Sequence, residues 1–141
     1  MLQKTSHYMR QANLIGGEWV DADSGATLDV TNPANGQAIG TVPKSGKAET
    51  RRAIEAAEKA FKSWKKTSAN ERSKLLRRLH DLILENQDPL AELLTMEQGK
   101  SLTEAKGEVA ISAAYILWFA EEGRRTYGDV VPSPWADRRL L

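Results

Sequence analysis

The sequence has no cysteine among its 141 residues. Disulfides, thiolate metal sites and a cysteine nucleophile are therefore excluded from these positions. Charge of either sign is not in excess: 20 Lys and Arg face 19 Asp and Glu, for a formal net charge of +1. That balance gives no electrostatic case for nucleic acid or an anionic membrane surface as partner. No hydrophobic run approaches the length that spans a bilayer. The opening residues, MLQKTSHYMRQA, lack the apolar stretch of a secretory signal, so a cytoplasmic setting is the expectation. Aromatic residues are scarce at 6%, and their placement matters more than their number.

What is present divides into two regimes. Residues 1–43 read as a β-hairpin region. Leu14 to Val20 form two strand pieces around Gly16-Gly17, where glycine supplies the positive φ that a two-residue turn requires. A second hairpin runs through Thr27-Leu28-Asp29-Val30, reverses at Asn32 to Gly36, returns along Ala38 to Val42 and is closed by Pro43. Residues 44–128 read as helical, and residues 129–141 as a loop followed by the start of a strand at Leu140-Leu141.

Four helices are predicted. The first covers about 47–65 with Ile54, Ala57, Ala60 or Phe61, and Trp64 on one stripe. The second opens with the capping box Ser68 to Glu71 and shows an apolar face of Leu75, Leu76, Leu79, Leu82 and Ile83. The third is expected to start with Asp88 as N-cap and Pro89 at the first helical position, to bury Leu90, Leu93 and Leu94, and to stop at Gly99. The fourth opens with the capping box Ser101 to Glu104 and is expected to continue to about Tyr127.

The fourth helix constrains the reading most. At about 100° per residue, Val109, Ala113, Ile116 and Ala120 share one face, and Ile111, Tyr115, Trp118 and Phe119 cover the opposite and flanking sides. A helix that is apolar all round has to be enclosed on every side. Three amphipathic helices and two hairpins do not provide enough cover, so an exposed apolar patch at Tyr115, Trp118 or Phe119 is expected, the alternative being burial of those rings in a different packing or against another copy.

Several polar residues invite a chemical role. Glu104 is already committed to a cap, and Lys106, Glu108, Glu121 and Glu122 sit where solvent-facing helix charge is usual. His7 and His80 have no second ligand at metal spacing. Arg124-Arg125 is read as a solvated helix terminus. For Glu97, a cation held with the Val30 or Thr31 carbonyls is weighed against a local cap or ion pair near Gly99, and the local role is preferred. No catalytic, cofactor-binding or metal-ligating residue is assigned.

Taken in order, several stretches carry a resemblance. They are Leu14-Ile15-Gly16-Gly17-Glu18-Trp19, Thr31 to Gly36 (TNPANG), Glu71-Arg72, Glu97-Gln98-Gly99-Lys100, Glu104 to Glu108 (EAKGE), and Trp118 to Arg125 followed by Tyr127-Gly128-Asp129. The ordered set resembles the N-terminal segment of the NAD(P)-dependent aldehyde dehydrogenase superfamily. Within it, the set is most like the bacterial succinate-semialdehyde dehydrogenases, with the glutarate-semialdehyde enzymes as close rivals. The fold so implied is an α+β fragment, two β-hairpins followed by four helices, like the front part of that family's cofactor-binding domain. The resemblance implies oxidation of an aldehyde to an acid through a cysteine thiolate and a glutamate-activated water, with NAD or NADP as hydride acceptor. No position of this chain matches the family's cysteine, glutamate, oxyanion or cofactor motifs. The expectation is thus an incomplete, inactive N-terminal part that binds no cofactor alone. Its partner would be the remainder of the enzyme or another subunit, in a family that is usually homo-oligomeric. The alternative is a non-catalytic helical interaction module.

Overall fold

The computed structural model describes residues 7–129 and 131–136. The strand expected at Leu140-Leu141 lies outside them. The described chain forms two antiparallel hairpins followed by four helices. The strands are β1 (Asn13–Ile15), β2 (Glu18–Val20), β3 (Thr27–Thr31) and β4 (Ala38–Pro43). The helices are α1 (Lys47–Trp64), α2 (Ala69–Glu85), α3 (Gln87–Gln98) and α4 (Leu102–Glu122).

Both hairpins follow from their turn residues. Ile15 pairs with Glu18, leaving Gly16 and Gly17 as a two-residue loop with φ of +64° and +94°. In the second hairpin the Asn32 side chain accepts from the Ala34 N–H at 2.9 Å and its carbonyl from the Gly36 N–H at 2.7 Å. Gly36 provides the left-handed residue there, with φ +71°.

Three helices start on their own carboxylates. Ser68 and Glu71 satisfy each other's amides at α2, and Ser101 and Glu104 do the same at α4. At α1 the N-cap is Gly46, and buried Glu49 does more than close the helix. Its carboxylate accepts from the Gly46 N–H at 2.9 Å and from the Asp23 N–H at 2.8 Å. Asp23 in turn pairs both oxygens with Arg52 at 2.7 Å. The loop after β2 is thereby fastened to the first turns of α1.

The amide of Asp23, then those of Glu49 itself and Gly46, hold the Glu49 carboxyl below the ordinary glutamate value. A carboxyl depressed in the folded state stabilises fully above its unfolded pKa, and that contribution is lost as pH falls through the folded one. Glu71, held down by the Ser68 hydroxyl, acts in the same direction. Stability is therefore expected to decline below about pH 4.3. Glu49→Gln should flatten part of that decline in melts followed from neutral pH downward, and an unchanged acid profile in the variant would contradict the assignment.

Two boundaries differ from the sequence expectation. The cap of α3 is Asn86 and not Asp88, and Asn86 also closes α2, so the chain turns from one helix to the next through a single residue. The first hydrogen bond of α3 runs from the Leu90 N–H to the Asn86 carbonyl. Pro89 thus occupies the third helical position, where no amide partner is needed. Secondly, α4 ends at Glu122, short of Tyr127. After Gly123 the Arg124 and Arg125 amides bond three residues back, to Glu121 and Glu122, and Tyr127 is exposed. Gly123 is a poor helix residue, and nothing packs on Tyr127 to extend the helix past it.

The core is built of small residues. Ala91, Ala105, Ala113, Ala120 and Val109 are buried where α4 lies against α2 and α3, with Ile83, Leu90 and Leu94 packed against Ala91, Ala105 and Val109. Polar ties fix the register of this packing. His80 donates from Nδ1 to the Ala113 carbonyl at 2.9 Å, and Gln87 donates to the Lys106 carbonyl at 3.0 Å. At the other end Tyr8 donates to the Asn86 side chain, tying the N-terminal segment to the α2–α3 junction.

Candidate functional site: an uncovered apolar face

The inward faces of α1 and α2 are not the ones their leucines and aromatics suggest. On α2, buried Ser73 and half-buried Leu76, His80 and Ile83 point inward, while Leu75, Leu79 and Leu82 of the expected face are exposed. On α1, Glu49, Ala53 and Ala56 turn toward the first hairpin, and Ile54, Phe61 and Trp64 face outward. An open groove of about 700 Å³ separates that hairpin from α1, lined by Leu14, Gly16, Ala53, Ala56 and Ala60 among others.

The fourth helix is divided as its wheel predicts. Val109, Ala113 and Ala120 are buried, whereas Ile111, Tyr115, Trp118 and Phe119 are each exposed by 60% or more. Ile111, Ala114, Tyr115 and Trp118 line a shallow apolar depression. Many other large apolar side chains are exposed as well, Leu75, Leu79, Phe61 and Trp64 among them, and exposed apolar patches of this kind commonly mark contact surfaces.

The polar residues weighed as chemical candidates have other partners. Glu108 pairs with Lys100, Lys106 with Asp88, Glu121 with Arg77 and Glu122 with Arg125. Glu104 caps α4. No group of three or more His, Cys, Asp or Glu that could hold a metal ion occurs among the described residues. Glu97 is exposed and shares with Val30 the wall of a cavity of about 90 Å³, which Arg10 also lines. The guanidinium of Arg10 is engaged with the His7 and Met9 carbonyls and lies over Trp19.

A dinucleotide phosphate needs free amides at a helix N-terminus. Here Glu49, Glu71 and Glu104 accept the N-cap amides of α1, α2 and α4, and α3 continues from α2 through Asn86. The Gly16-Gly17 turn leads into a strand. No hydride transfer is derived through these residues. No helix among the described residues is long and apolar enough to cross a membrane.

Residues 19–141 match the model of the aldehyde dehydrogenase family. The chain is 57% identical over 141 residues to the glutarate-semialdehyde dehydrogenase of Pseudomonas putida, covering 100% of this chain and 29% of that protein. It is 54% identical over 136 residues to the Escherichia coli succinate-semialdehyde dehydrogenase [NADP(+)], covering 96% of this chain and 28% of that one. The crystal structure of succinate-semialdehyde dehydrogenase from Burkholderia pseudomallei superposes with a TM-score of 0.90 at 54% identity, over 94% of this chain and 28% of that chain. The stretch matched is the amino-terminal part of these enzymes. This chain thus spans 28–29% of the length of those relatives. The hairpin-and-helix layout, the ordered motifs and the family match agree, and the chain belongs to the aldehyde dehydrogenase family.

Proposed function

We propose that this chain is the amino-terminal portion, residues 1–141, of a semialdehyde dehydrogenase, and that it serves as scaffold rather than as catalyst. The observation that carries the reading is the pairing of a family match over residues 19–141 with a chain that has no cysteine. Aldehyde oxidation through a thiohemiacetal needs an ionised thiol as nucleophile, and none of these residues provides one. What they provide is a rigid hairpin-and-helix layer with a broad apolar face, suited to packing against the larger remainder of the enzyme or another subunit.

The substrate class follows from the relatives' chemistry. Succinate and glutarate semialdehydes are short chains with an aldehyde at one end and a carboxylate at the other. An ω-aldehyde acid of that kind, four or five carbons long, is the substrate of the complete enzyme in this reading. NAD or NADP is its hydride acceptor, in keeping with the E. coli relative's name. A cytoplasmic setting suits this chemistry, because the nucleophilic thiolate needs a compartment that keeps thiols reduced.

The test is direct. The purified chain is mixed with succinate or glutarate semialdehyde and either NAD⁺ or NADP⁺, and reduced nicotinamide is followed by absorbance. No rate above the enzyme-free mixture is expected, and turnover by the chain alone would overturn the scaffold reading.

A further inference from the structure

Two buried side-chain polar atoms among the described residues have no hydrogen-bond partner, Thr95 Oγ1 and Arg72 Nε. A threonine hydroxyl without a partner is a modest cost. A guanidinium N–H buried and unmatched is more costly, because buried polar groups in native proteins are nearly always satisfied.

Arg72 lies in the first turn of α2, beside the end of α4. Its Nη2 donates to the Trp64 carbonyl at 2.9 Å, and its Cζ sits 5.4 Å from the centre of the Trp64 ring. It forms no ion pair among the described residues. It opens onto a cleft of about 410 Å³ lined by Thr67, Leu76, Phe119, Gly123 and Thr126 among others. Phe119 on its wall is exposed by 60%, and Trp64, beneath the guanidinium, by 45%. The combination is a fixed cation bordering a cleft of mixed polarity beside exposed aromatic rings.

We infer that this cleft seats an oxygen acceptor, a carboxylate or a backbone carbonyl, from the part of the dehydrogenase chain outside these 141 residues, with Arg72 as its anchor. The inference rests on the function proposed above. Charge complementarity selects the acceptor, since the planar guanidinium fork binds oxygen pairs in a fixed geometry. The length of chain outside these residues selects the source, because the relatives are more than three times as long. The cleft is continuous through Phe119 with the uncovered face of α4. One docking segment can therefore cover Phe119 and pair with the terminal nitrogens of Arg72 together, while Nε is already enclosed.

The experiment compares Arg72→Met in two settings. One is the isolated chain. The other is a full-length chimera in which the matched stretch of the P. putida glutarate-semialdehyde dehydrogenase is replaced by this chain. In the isolated chain the substitution removes one bond and one unmatched donor, so the unfolding equilibrium constant in urea is expected to change by no more than about fivefold. In the chimera it leaves a buried acceptor unpaired, and a rise of at least about thirtyfold is expected. Arg72→Lys, which keeps the charge without the fork, should fall between wild type and Arg72→Met in the chimera.

Equal shifts in both settings would overturn the inference while leaving the proposed function standing, provided the chimera is active. A change in the isolated chain's oligomeric state on Arg72→Met, read by light scattering, would assign the cleft to a second copy and overturn it likewise. A chimera that fails to fold with Arg72 intact would overturn the reading on which both depend.

Discussion

Replacing Tyr115 and Trp118 together by serine is expected to leave the unfolding of the isolated chain almost unchanged and to cripple the full-length chimera. In the isolated chain both rings are more than 60% exposed, so little packing is lost with them. Substitutions at such positions typically change stability by no more than about 0.5 kcal/mol each. In the complete enzyme of this account the same rings are covered. Truncation of a buried aromatic costs about 3–5 kcal/mol, so the pair amounts to most of a typical folding free energy of about 5–15 kcal/mol. The measurements are denaturant unfolding of the isolated chain and soluble yield with activity of the chimera. The variant chain should also be more soluble than the parent, since two exposed rings of an apolar patch are gone. Equal tolerance in both settings would show that this face meets solvent in the enzyme too.

Within the chain itself, Gly99→Ala is expected to be the most damaging of the glycine substitutions, at about 2–4 kcal/mol. Gly99 ends α3 with φ +76°, and its N–H bonds to the Thr95 carbonyl at 2.8 Å. An L residue in the left-handed region costs about 1–2 kcal/mol by itself. Here a Cβ would also lie 2.8 Å from Pro33 Cγ. Pro33 has little room to retreat, because it sits in the tight turn held by Asn32. The overlap therefore pushes the second hairpin away from the α3–α4 junction. Gly36 separates the two contributions: it has φ +71° but open space where its Cβ would be. Gly36→Ala should cost only the backbone share, about 1–2 kcal/mol. Urea unfolding of both variants checks the difference. A Gly99→Ala cost no larger than that of Gly36→Ala would mean that the hairpin does not bear on the helix junction.

The sequence made some of this legible for identifiable reasons. The capping boxes at Ser68 and Ser101 and the glycine turns at Gly16-Gly17 and Gly36 are local devices, each specified within a few residues, and all appear in place. The division of α4 into a buried and a bare side was readable because Val109, Ala113 and Ala120 fall opposite Tyr115 and Trp118 on one wheel. The faces of α1 and α2 were legible only in part, because the largest apolar residues are not the ones that pack. Ala53 and Ala56 turn toward the first hairpin and Ser73, Leu76 and Ile83 toward the helical layer, while Leu75, Leu79, Phe61 and Trp64 are exposed. The start of α3 was misplaced because Asp88-Pro89 imitates a cap, whereas Asn86 closes one helix and opens the next. The Arg72 cleft had no sequence signal as a site. It exists only where the start of α2 meets the end of α4, 47 positions further on at Phe119 (119 − 72 = 47).

The account's central claim is that these residues form the non-catalytic front layer of a semialdehyde dehydrogenase. The most direct measurement of it is the activity of the chimera beside that of the isolated chain, with glutarate semialdehyde and both nicotinamide cofactors. The account predicts clear oxidation by the chimera and none by the chain. A folded chimera without activity, or an isolated chain that turns over substrate, would contradict it.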